Sequence, residues 1–140
     1  YQTALDRHYQ NGPAPDWMSR YISPYASMHP WEDWAETWAH YLHIVDVLET
    51  ADAFGIQIRP PVVQDQHKHM MTLATPLKPY TTEDFDDIYQ AWLPVAFAMN
   101  SLNRSMGQDD FYPFVINTQV QNKLRFIHEV IQHYAQAQSQ

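Results

Sequence analysis

Between residues 29 and 43 the run HPWEDWAETWAHYLH sets His29, His40 and His43 among Glu32, Asp33 and Glu36. Imidazoles and carboxylates are the side chains that hold Zn²⁺ or a pair of iron or manganese ions, and they also carry protons in catalysis. On a helical wheel with Glu32 at the origin, Glu36, His43, His40 and Asp33 all fall within about 100°. Trp34, Trp38, Leu42 and Val45 gather between about 200° and 280°, with Trp31 beside them. That spacing fits a metal face, and it equally fits the wet stripe of a half-buried helix whose tryptophans point inward. One detail favours a positive partner: residues 30–55 contain no Lys or Arg. Acids stacked one turn apart repel each other, so either a metal ion or another helix is expected opposite them. Di-iron bundles use Glu-x-x-His, whereas the spacing here is Glu36-x-x-x-His40, which argues against that cofactor.

Two other histidine groupings offer less. HEVIQH, residues 128–133, resembles the metalloprotease helix motif, but that motif places its histidines at i and i+4 on one face. His128 and His133 are five apart, about 140° around a helix, so one is expected to pack and the other to meet water. His67 and His69 have a common ligand spacing, yet no third partner is visible nearby. A self-contained metal site from Glu36, His40, His43 and the 67–69 loop is a further reading.

The elements that must position these groups read as helices. A short helix over residues 1–10 is stopped by NGPAP, and a second short one runs from Asp16 to residue 21. Ser27 or His29 caps a long helix that begins at Pro30 and runs to about Ala53, with Gly55 closing it. Residues 56–80 hold four prolines and no sustained period, which predicts a long loop. Thr81 or Thr82 then caps a helix to about Ser105 that carries Pro94 and ends at Gly107. Asn117 or Thr118 caps a last helix from Gln119 to about Ala137. VVQ and FVI are too short to carry a sheet, so the fold class is all-α, a single helical domain over residues 1–140.

Composition narrows the function classes. With 45% apolar and 14% aromatic residues in 140, the chain can bury a sizeable core. A net charge of −8 with eight scattered Lys and Arg argues against nucleic acid, which needs clustered cations, and against anionic membranes. Cysteine is absent, so neither disulfides nor thiolate ligands arise within the chain. No apolar run approaches the roughly 20 residues of a membrane span, and a cytoplasmic location is the expectation.

YISPYASMHPWEDWAETWAHYLHIVDVLETADAFGI, with SLNRSMGQDDFYPFVI and KLRFIHEVIQ downstream, resembles a bacterial family of zinc-binding metallopeptidases of the gluzincin type. The resemblance covers essentially all of the chain. In that family an amino-terminal zinc ribbon and an HExxH helix lie upstream of the matched region, and neither has a counterpart here. The chain is therefore expected to be the carboxy-terminal part of such an enzyme. The resemblance implies that Glu32 is the third zinc ligand, joining two histidines from HExxH. It implies that Glu36, one turn on, orients a zinc-bound imidazole. Tyr25, seven residues before Glu32, matches a tyrosine that supports the oxyanion, although Tyr21 stands close by. The cofactor implied is zinc, in a site incomplete within this chain. The partners implied are a peptide or protein substrate and the missing amino-terminal half. His40 and His43 are expected to line the cleft or pack.

Two further expectations stand beside this one. The aromatic residues and acidic surface also suit a non-catalytic helical module that binds a protein partner. Apolar surface left open in the separated piece would favour homo-oligomers.

Overall fold

Glycines follow the first three helices of the computed structural model, which describes residues 1–61, 71–75 and 77–138. Helix α1 spans Gln2–Asn11, α2 Pro30–Ala53, α3 Phe85–Ser105 and α4 Thr118–Gln138. The φ angles of Gly12, Gly55 and Gly107 are 76°, 62° and 73°, positive values that glycine adopts at little cost where a helix ends. The start of α2 is built by His29, whose Nδ1 accepts the Trp31 N–H at 3.1 Å, and by Pro30, which has no N–H to satisfy. Asn117 does two jobs before α4. Its Oδ1 accepts the Val120 N–H at 2.9 Å, and its Nδ2 donates to the Met18 carbonyl at 2.7 Å.

Two local expectations shift. The helix expected from Asp16 to residue 21 is only a 3-10 turn at Trp17–Ser19, because the Asp16 carboxylate pairs with Arg20 at 3.1 Å instead of capping backbone N–H groups. The cap of α3 is Asp84, which accepts the Asp86 N–H at 2.8 Å. Thr82 is occupied elsewhere, donating back to the Lys78 carbonyl at 2.9 Å across a 3-10 turn at Pro79–Thr81. Among the described residues the proline-rich stretch forms no sheet; Ile58 and Leu73 make one isolated antiparallel bridge. The class is all-α, and no helix among the described residues is long and apolar enough to cross a membrane.

The chain divides into two compact units. The first comprises residues 1–42 and 114–140, and its buried side chains include Ile22, Ala26, Tyr41, Val120, Leu124, Ile127 and His128. The second comprises residues 43–113 and buries Ile44, Val45, Leu48, Phe85, Ile88, Trp92 and Val95. Within it, Asn100 holds the Tyr112 backbone through two hydrogen bonds of 2.9 and 3.0 Å, and the Tyr112 ring meets Trp92 edge-on at 5.0 Å. Burial raises the Tyr112 phenol well above its ordinary range. Truncating Ile44 or Leu124, both fully buried, to alanine would cost about 2–5 kcal/mol.

The buried stripe of α2 is not the one its tryptophans mark. Thr37, His40, Tyr41, Ile44, Val45, Leu48 and Ala51 are buried, whereas Trp31, Trp34 and Leu42 are 68%, 49% and 45% exposed. Polar side chains can take the inner face because each is satisfied there. The Thr37 hydroxyl donates to the Asp33 carbonyl at 2.6 Å, the His40 ring meets Phe114 edge-on at 4.4 Å, and Tyr41 reaches His128.

Candidate functional site

Glu32 lies in the first turn of α2 and is partly exposed, where the unpaired N–H groups of a helix start favour a carboxylate. Its Oε1 accepts a hydrogen bond from the Tyr1 hydroxyl at 2.5 Å. The Tyr1 ring is stacked on Trp31 at 5.7 Å and meets His29 edge-on at 5.3 Å. The bond to Glu32 is the main reason the Tyr1 phenol is pushed up to about 12, with burial and the Glu32 charge adding to it. Tyr25 is also raised, first by burial and then by the Glu32 charge. The Tyr1 hydroxyl thus bonds the Glu32 carboxylate, whose charge also acts on Tyr25, and His8 of α1 meets Tyr25 edge-on at 6.4 Å.

Glu36 contributes to the same neighbourhood indirectly. The buried Ser23 hydroxyl donates to Glu36 Oε2 and accepts the Ala26 N–H at 3.0 Å. Tyr25 is the residue that opens the 3-10 turn Ala26–Met28. Glu36 thus fastens to α2 the turn that presents Tyr25, one helical turn beyond Glu32.

The histidines that crowd the sequence separate. His40 is buried against Phe114, and His43 is exposed. In HEVIQH, His128 is buried with its Nδ1 2.9 Å from the Tyr41 hydroxyl, while His133 is exposed. The spacing argument against a zinc helix agrees with this division. His67 and His69 lie outside the described residues. Among the described residues no group of three His, Asp or Glu side chains converges on a point where an ion could sit.

A catalytic zinc site uses three protein ligands. Among the described residues Glu32, a partly exposed carboxylate held by a phenol at a helix start, could supply one of them. That donor set fits a single share of a zinc site and not a whole one.

Sequence reasoning missed Tyr1 and Ser23. Tyr1 is 31 positions from Glu32, too far for any helical or loop spacing to connect them. Ser23 lies in the YISPYAS stretch, where a serine two residues before Tyr25 was the available signal.

The family described as "Putative zinc-binding metallo-peptidase" matches residues 1–130. Three uncharacterized mycobacterial proteins, one from Mycobacterium bovis and two from Mycobacterium tuberculosis, are each 45% identical over 135 residues, 96% of the chain. The chain spans 36% of the length of these relatives. No solved structure matches.

Proposed function

The chain belongs to this zinc-binding metallo-peptidase family, and we propose that it is the part of a zinc-dependent peptidase that supplies Glu32 as the third metal ligand. The observation that carries the reading is the partly exposed Glu32 carboxylate at the start of α2, held by the Tyr1 hydroxyl. In this reading the two histidine ligands and the general base come from an HExxH helix elsewhere in the full-length protein, and the substrate is a peptide or protein. When bound, zinc supplies an activated water and polarises the scissile carbonyl. Tyr25 holds its proton at neutral pH and so can donate to an oxyanion that develops beside it. Glu36 keeps one oxygen on Ser23, steadying the Tyr25 turn, and has its second oxygen for a zinc-bound imidazole.

Zinc titration tests the reading. The 140-residue chain should bind zinc weakly, with or without Glu32→Ala, whereas the same substitution should abolish tight binding in the full-length protein. Robust, chelator-sensitive peptidase activity from the 140 residues alone would sink the assignment.

A second reading is favoured by one observation. Trp34 and Phe126, both about half exposed, line an open groove of about 320 Å³ with Pro30 and Lys123. Such a surface suits a non-catalytic helical module that takes a protein partner. Under that reading Glu32→Ala leaves zinc affinity of the full-length protein unchanged, and Trp34→Glu is the substitution that abolishes function.

A further inference from the structure

We infer that Tyr1 is a positioning residue for Glu32: its hydroxyl selects one orientation of the carboxylate and holds it ready for a metal. This rests on the reading of Glu32 as a zinc ligand. A glutamate at a partly exposed helix start can rotate about three side-chain bonds, and fixing such a side chain costs up to about 2 kcal/mol of rotamer entropy. Sites that bind metals well have that cost removed beforehand by partners of the ligand.

Tyr1 is built to do this. Its own carbonyl accepts the Ala4 and Leu5 N–H groups at 2.9 and 3.1 Å, so its backbone is fixed as the residue that opens α1. Its ring touches both Trp31 and His29. These two are mutually fixed, with ring centroids 5.1 Å apart and the Trp31 N–H on His29 Nδ1. The phenol therefore arrives at Glu32 Oε1 from a supported ring. A carboxylate has about four lone-pair sites, and one donor on Oε1 leaves the remainder for an ion. Tyr25 opens the turn that Glu36 anchors through Ser23.

The bland alternative is that Tyr1 matters only as a ring packed on Trp31. Tyr1→Phe keeps that ring and removes only the hydroxyl, whereas Tyr1→Ala removes both. The test measures zinc affinity of the full-length protein, by competition with a chromophoric chelator, for the wild type, Tyr1→Phe, Tyr1→Ala and Glu32→Gln. The Glu32 carboxyl carbon resonance is followed in the metal-free form. Tyr1→Phe should weaken zinc binding roughly 10–100-fold and move the Glu32 resonance, while lowering the melting temperature less than Tyr1→Ala does. If Glu32→Gln loses zinc while Tyr1→Phe binds it like the wild type, Tyr1 only packs and the inference is overturned. If Glu32→Gln itself keeps wild-type zinc affinity, the ligand reading fails, and the resonance alone then decides. Its movement in Tyr1→Phe supports the positioning contact, and its constancy refutes it.

Discussion

Lys123 Nζ sits 2.8 Å from both carboxylate oxygens of Asp33. The same ammonium donates to the Arg20 carbonyl at 2.8 Å and lies 4.3 Å from the centre of the Tyr21 ring. The acid-rich start of α2, which has no cation of its own, thus receives one from α4. The two side chains are 30% and 21% exposed, so water screens the pair only in part. Lys123→Met keeps the stem and removes the charge, and it should lower stability by about 1–3 kcal/mol in urea unfolding. Asp33→Asn should cost a similar amount, and the double variant less than the sum of the two. A loss below about 0.5 kcal/mol would mark the pair as an ordinary surface bridge.

The two histidines of HEVIQH should behave unequally. Tyr41→Phe removes a hydroxyl partner from the buried His128 ring and is expected to cost about 1–3 kcal/mol. His133→Ala, at an exposed position, should stay within about 0.5 kcal/mol of the wild type. Thermal unfolding of both variants checks this, and equal effects would contradict the division between a packed and a wet histidine.

Alkaline pH should report on the bond between Tyr1 and Glu32. The folded chain holds the Tyr1 proton up to about 12 against an ordinary 10.0, so the folded state binds that proton more tightly than the unfolded state does. The contribution is therefore intact below about pH 10 and is lost as pH rises through about 12. Tyrosinate absorbance should show one phenol titrating earlier in Glu32→Gln than in the wild type. The Tyr1→Phe difference spectrum identifies which one it is. An unchanged titration in Glu32→Gln would mean that the carboxylate does not hold the phenol in solution.

What the sequence made legible was local. The ends of α2 follow from Pro30 and Gly55, and the class follows from helical periods broken by proline and glycine. The inner face of α2 was not legible, because hydrophobicity was read as burial. Trp31 is mostly and Trp34 about half exposed, while Thr37 and His40 are inside. Burying a polar group is cheap once its hydrogen-bond partner is present; the partner of Tyr41, His128, and the ring that packs on His40, Phe114, both lie more than 70 residues away. The candidate site divides the same way. Glu32 could be named from the PWEDWAE run, but Tyr1 and Lys123 reach α2 from distant positions that no spacing rule connects to it.

Helix α1 carries Tyr1 and His8 toward Glu32 and Tyr25, yet none of its ten residues is buried. Its attachment free energy therefore sits at the low end of the range that native-state opening explores, far below the global unfolding that would expose Leu124 or Ile127. The phenol inferred to orient Glu32 therefore sits at the start of a helix that buries none of its own residues. Loosening α1 releases the carboxylate while the buried residues stay in place, so the readiness of Glu32 can vary by local unfolding without loss of the fold.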